Sequence, residues 1–184
     1  LNWMPLESNE FFPAESLAYE GLGAAWGLGC YTFSVSEMEK TGLNPIQMKE
    51  AYQVIADRIG IAQSPDDITK YTAADLQFLQ PSIKIDDNAR EILRRYDLSK
   101  SAINRKGFFA GVPAMALLTE NKGGRKSTEY LNMDFYSNPG DSAYRPSVTF
   151  KILHSYSNFT YLPGIFITEF NEKSGVVELI GQTM

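Results

Sequence analysis

Apolar positions recur at helical spacing through the first half of this chain and at strand spacing near its end. Met48, Ala51, Tyr52, Ile55 and Ile59 share one face of a 3.6-residue repeat. Asn44 precedes them as a capping residue, Pro45 suits the first helical position, and Gly60 closes the run. "TAADLQFLQ" (72–80) reads as a short helix stopped by Pro81. "DDNAREILRRYDLSK" (86–100) reads as a third, with acids at its start and Ala89, Ile92, Leu93 and Tyr96 on the buried side.

The pattern changes after residue 100. "GFFAGVPAMALLT" (107–119) predicts a buried strand broken at Pro113, and "STEYLNMDFYS" (127–137) a weaker one. "PSVTFKILHSYS" (146–157) predicts a helix with Phe150, Leu153 and His154 on one side. "GIFITEF", "NEKSG" and "VVELI" predict a hairpin, with Gly175 at the left-handed position of the turn. Residues 1–35, broken by Pro5, Pro13 and several glycines, predict an extended segment, and 36–184 the helical and sheet region. The expected class is α+β: a helical first half packed on a small, mainly antiparallel sheet from the second half.

The 184 residues suffice for one ordinary domain with a contiguous core. A net charge of −5, with basic residues dispersed and "NKGGRK" (121–126) as the densest cluster, argues against a nucleic-acid partner. No run approaches the ~18 apolar residues of a membrane span. The single cysteine, Cys30, cannot form an internal disulfide, so a cytoplasmic location is expected.

The only cysteine lies in "GLGAAWGLGCYTFS" (21–34), among four glycines and Trp26. "GCYTFS" resembles the nucleophile segment of papain-like proteases, and His154 lies 124 residues downstream. The oxyanion-hole glutamine, the usual cysteine–glycine pair before the nucleophile and the later asparagine are absent from the pattern. The glycines match no dinucleotide fingerprint, since "GLGAAWG" is G-x-G-x-x-x-G. One His and one Cys leave only carboxylates for a metal, and the pairs Asp66/Asp67 and Asp86/Asp87 sit where helix N-termini favour acids. No metal site is expected.

"SLAYEGLGAAWGLGCYTF" (16–33) resembles the loop after the nucleotide-binding unit in the glucose–methanol–choline family of FAD-dependent oxidoreductases. There a Gly-Gly-Leu/Thr-Ser-x-x-Trp-Gly pattern lets the backbone approach the flavin, where a Cβ would collide. Gly21, Leu22, Trp26 and Gly27 match. Glu20 stands in place of the first glycine and Gly23 in place of serine. The resemblance continues through "LNPIQMKEAYQVIADRIGI" (43–61), "RKGFFAGVPAMALLT" (105–119) and "NFTYLPGIFITEFNEKSGVVEL" (158–179).

It implies the substrate-side region of a flavoprotein fold that lacks the N-terminal dinucleotide-binding unit, an internal portion of a longer enzyme. It further implies cofactor contacts from Gly21, Leu22, Gly23, Trp26, Gly27 and Phe166, with 159–180 returning toward the FAD domain. The implied partner is a small alcohol or sugar-like substrate, and the catalytic groups fall outside this chain. A thiol hydrolase using Cys30 and His154, and a non-enzymatic binding module presenting aromatics and the hairpin, remain open alternatives.

Overall fold

Asn44 starts the longest uninterrupted argument from sequence to structure. Its Oδ1 accepts from the amides of Ile46 (2.9 Å) and Gln47 (3.2 Å), satisfying two of the orphan donors at a helix start. Pro45 follows, and helix α2 runs Pro45–Ile59 until Gly60, at φ 75°, ends it. The computed structural model describes residues 9–11, 14–72, 76–77, 79–127, 129 and 138–184. The strand expected over 127–137 lies almost wholly outside them, as do Pro5 and Pro13.

A short helix α1, Val35–Lys40, precedes α2. Ser34 and Glu37 form a capping box: the Glu37 amide donates to Ser34 Oγ (3.3 Å) and the Ser34 amide to Glu37 Oε2 (2.7 Å). Those bonds hold the Glu37 carboxyl below its usual range. Helix α3 is a single turn, Thr69–Thr72, and α4 spans Asp87–Asn104 behind Asp86, whose carboxylate accepts from the Ala89 amide at 2.8 Å. Helix α5 is Pro146–Leu153, and strands β1 (Ile165–Lys173) and β2 (Val176–Thr183) pair antiparallel.

Mixed helix with a small antiparallel sheet is compatible with the expected α+β class, but three expectations change. The helix expected over 72–80 is not seen in its described residues beyond Thr72, since 76–77 and 79–80 are non-helical. Gln80 instead gives its amide to Ile61 O (2.9 Å) and its carbonyl to the Gln63 amide (2.9 Å). The apolar run 107–119 is not a strand. Its Met115 pairs singly with Gly29 and Ala62, and the Leu117 amide turns back onto Met115 O (2.8 Å), which breaks the extension. The buried faces also shift. Ala56 is 1% exposed while Ile55 is 44% exposed, and on α4 Ile92 is 65% exposed while Tyr96 is buried.

Contacts divide the chain into two compact units, 1–148 and 149–184. The first is built on single bridges rather than a ladder. Cys30 N donates to Ala114 O (2.8 Å), Ala116 N to Leu28 O (2.8 Å), and Tyr144 N to Ala116 O (2.9 Å). Around these, Ala56, Ile59, Ile61, Ala114 and Ala116 form one buried cluster and Leu28, Leu117 and Ala143 a second; Trp26 packs on both.

The loop before α3 is tied to α4 by charge. Asp67 accepts from Lys100 Nζ (2.7 Å), the Tyr96 hydroxyl and Asn104 Nδ2 (3.2 Å). Lys100 first and Tyr96 second hold the Asp67 carboxyl down to about 2. Because the folded value lies below the unfolded value of ~3.9, this contribution is complete above that value and disappears as pH falls through about 2. Urea unfolding of the wild type and Asp67→Asn should therefore differ at pH 6 and converge as pH drops from 4 toward 2.

In the second unit Phe150, His154, Phe159 and Tyr161 form an aromatic cluster, with the His154 ring 5.5 Å from Phe159 and 6.4 Å from Tyr161. The hairpin turn is two residues, Ser174 (φ 53°) and Gly175 (φ 77°), both left-handed as a tight hairpin requires. A bulge between Ile167 and Glu169 interrupts the register. Both strands are exposed along their length, Phe166 alone being half-buried.

Candidate functional site

The glycine-rich loop is anchored through Glu20, Gly23 and Trp26 and has open space at Gly21 and Gly27. It forms a 3₁₀ turn over Gly21–Ala25, entered at Gly21 with φ 59°. Glu20 Oε1 accepts from the Ser147 amide (2.8 Å), and the Trp26 indole N–H donates to Tyr144 O (2.9 Å). A Cβ on Gly23 would lie 2.7 Å from Pro146 Cδ, so that glycine admits the first residue of α5. A Cβ on Gly21 or Gly27 would meet nothing within 4 Å, and Leu22 is exposed.

Leu28 then adopts φ 60° while buried. A side chain larger than glycine costs roughly 1–2 kcal/mol in that conformation, and such strain clusters at functional sites. Leu28 is held there by its side chain in the second apolar cluster and by its carbonyl, which accepts from Ala116 N.

The far side of the same loop opens onto a cleft of about 310 Å³. Tyr52, Ile55 and Ile59 of α2 make one wall, and Gly29, Cys30, Tyr31 and Thr32 another. Trp26, Ile61, Thr72, Leu76 and Ala114 complete the lining among the described residues. Thr32 N donates to Thr72 O (2.9 Å), tying the loop to α3. The Thr72 hydroxyl is engaged with Gln63, accepting from Nε2 at 2.7 Å.

Cys30 has the wrong electrostatics for a nucleophile. Burial pushes its thiol up to about 11, with a backbone hydrogen bond acting the other way, so the protonated form prevails near neutral pH. Its Sγ lies 3.6 Å from Leu28 O, and its other neighbours are apolar core groups. His154 belongs to the second unit, among aromatic rings.

Of the positions singled out in the sequence, Gly21, Leu22, Gly23, Trp26 and Gly27 come together on one loop. Phe166 lies in the second unit, on β1 opposite Gln182. Sequence reasoning missed Leu28, whose backbone conformation carries no sequence mark, and Tyr52 as a cleft wall. Among the described residues no three His, Cys, Asp or Glu side chains gather as metal ligands would. No helix among them is long and apolar enough to cross a membrane. No family model, curated protein or solved structure matches the chain.

Proposed function

We propose that this chain is the flavin-proximal and substrate-side part of a longer, cytoplasmic FAD-dependent oxidoreductase acting on an alcohol-type or sugar-like small molecule. One observation carries the reading: the loop over 21–28 is pinned through Gly23 against Pro146 and Trp26 on Tyr144, while a Cβ on Gly21 or Gly27 would meet nothing within 4 Å. Open space at these glycines would let a flat ring system approach their backbone, which is what the resemblance to the glucose–methanol–choline family requires of them. The cofactor, when bound, supplies a hydride acceptor for the carbon being oxidised.

The chain's own residues position rather than react in this reading. Trp26, fixed by its N–H and wedged on both apolar clusters, keeps the loop from collapsing into that open space. Leu22, exposed on the loop, would contact the bound cofactor, and the proton acceptor for the substrate hydroxyl would come from outside these residues. The bare hairpin supports membership in a larger protein, since a two-stranded hairpin is marginal in water by itself. A partner-binding module would also use that hairpin, and flavin binding by the gene product separates the two.

The test is the gene product that contains this segment. It should purify yellow, with flavin absorbance. Gly27 has no positive φ and open space above it, so Gly27→Val should fold with an unchanged melting temperature and retain FAD about tenfold less well or worse. A colourless wild type, or a Gly27→Val variant that holds FAD as tightly, overturns the reading.

A further inference from the structure

The cleft beneath the glycine loop shares only Trp26 with the face assigned to the flavin, and nothing in the preceding reading uses it. The cleft, about 310 Å³ and partly open, is concave and walled in part by the main apolar cluster, the kind of surface small molecules occupy. Ile59, Ile61 and Ala114 belong both to that cluster and to the cleft wall. At the rim, Ile55 is 44% exposed and Tyr31 64% exposed, the latter carrying a neutral hydroxyl. The volume is about twice that of the ~150 Å³ cavity known to admit benzene.

The polar groups define the occupant further. No described lining residue carries a charge, and the Cys30 thiol is neutral at physiological pH. The Thr72 hydroxyl donates and accepts within the protein, to Gln63 and to Ile68 O. The Tyr52 hydroxyl accepts from the Phe33 amide (3.3 Å), which leaves its own hydrogen available to donate. Besides Tyr52, the hydroxyl-bearing residues Tyr31 and Thr32 line the cleft, so among the described residues it is an apolar recess with a few neutral hydroxyls, which selects a neutral, mostly apolar ligand with few acceptors.

We propose that this cleft binds a neutral, largely apolar molecule of two-ring size that presents one carbonyl or ether oxygen to Tyr52. An anion or a sugar fits poorly, because its polar groups would lose water without finding partners. The proposal stands independently of the flavin reading.

The probe is prodan, a neutral naphthalene ketone whose emission shifts to the blue in apolar surroundings. Titrated into the 184-residue chain at pH 7, it should bind saturably at one site with a blue shift. Ile55→Asp puts a charge at the rim of the cleft from a half-exposed position, so it should leave the melting temperature unchanged and weaken prodan about tenfold or more. Val54→Asp, on the same helix outside the lining, should bind as the wild type does.

Tyr52→Phe should weaken prodan severalfold but leave naphthalene, which has no acceptor, unaffected. Bound prodan should also slow alkylation of Cys30 by N-ethylmaleimide, a readout that needs no variant. Unsaturable binding, equal loss in Ile55→Asp and Val54→Asp, equal loss of prodan and naphthalene in Tyr52→Phe, or no protection of Cys30 each overturns the assignment.

Discussion

Arg125→Ala is expected to destabilise the first unit by about 3–5 kcal/mol, read as a shift of the urea midpoint. Arg125 is 9% exposed as a residue, and three N–H groups of its guanidinium end on backbone carbonyls. Nη1 donates to Ile59 O (2.6 Å), Nε to Asp141 O (2.9 Å) and Nη2 to Ser142 O (3.1 Å). Hydrogen bonds to a charged donor contribute about 1.5–3 kcal/mol each, and acceptors stripped of partners in a buried site add their desolvation cost. The contributions are not additive, so the expected total sits below three times the single value. Lysine offers one point charge in place of a planar fork, so Arg125→Lys should recover less than half of the loss. A variant as stable as the wild type would mean water replaces the guanidinium at all three carbonyls.

Arg125 also shows where sequence reading runs out. Within "NKGGRK" it looks like one charge of an exposed basic cluster. Gly123 and Gly124, at φ 58° and 82°, make a two-residue turn that folds the chain back and carries Arg125 under α2. Its neighbour Lys122 is used internally too, paired with Asp57 at 2.7 Å. Local chemistry was legible wherever caps decide: Asn44, Asp86 and the Ser174–Gly175 turn are each set by side chains within a few residues. The capping box at Ser34 and Glu37 was equally readable, from its S-x-x-E spacing, and marks the helix that the sequence reading passed over.

The first unit's scaffold was not legible for a physical reason. It joins residues 28–30, 61–63, 80, 114–118 and 142–144 through single bridges, and a single bridge imposes no periodicity on its neighbours. The apolar face of α2 was misjudged because Ile55 serves the cleft while Ala56, small enough for close approach, serves the core. The glycine loop could be located from its composition. The cleft beside it could not, because its described walls come from four separate segments of the chain.

Leu118→Ala should be comparably costly, at about 3–5 kcal/mol, since Leu118 is among the largest side chains with no exposure and its truncation leaves a cavity. Its side chain lies against Gly60. A Cβ there would overlap Leu118 Cδ2, and the backbone sits at φ 75°. Gly60→Ala therefore carries two penalties, roughly 1–2 kcal/mol for the left-handed backbone and about 1–3 kcal/mol for overpacking. In the Leu118→Ala background the second penalty vanishes and the first stays, so the double variant should be about 1–3 kcal/mol more stable than the sum of the singles predicts. Strict additivity would show that the backbone angle alone keeps glycine at position 60. The cycle bears on function because Gly60 stands between Ile59 and Ile61, both on the cleft wall. If overpacking at Leu118 pushes that segment outward, Gly60→Ala should weaken prodan binding and Leu118→Ala should restore it, coupling the core to the cleft through one methyl group.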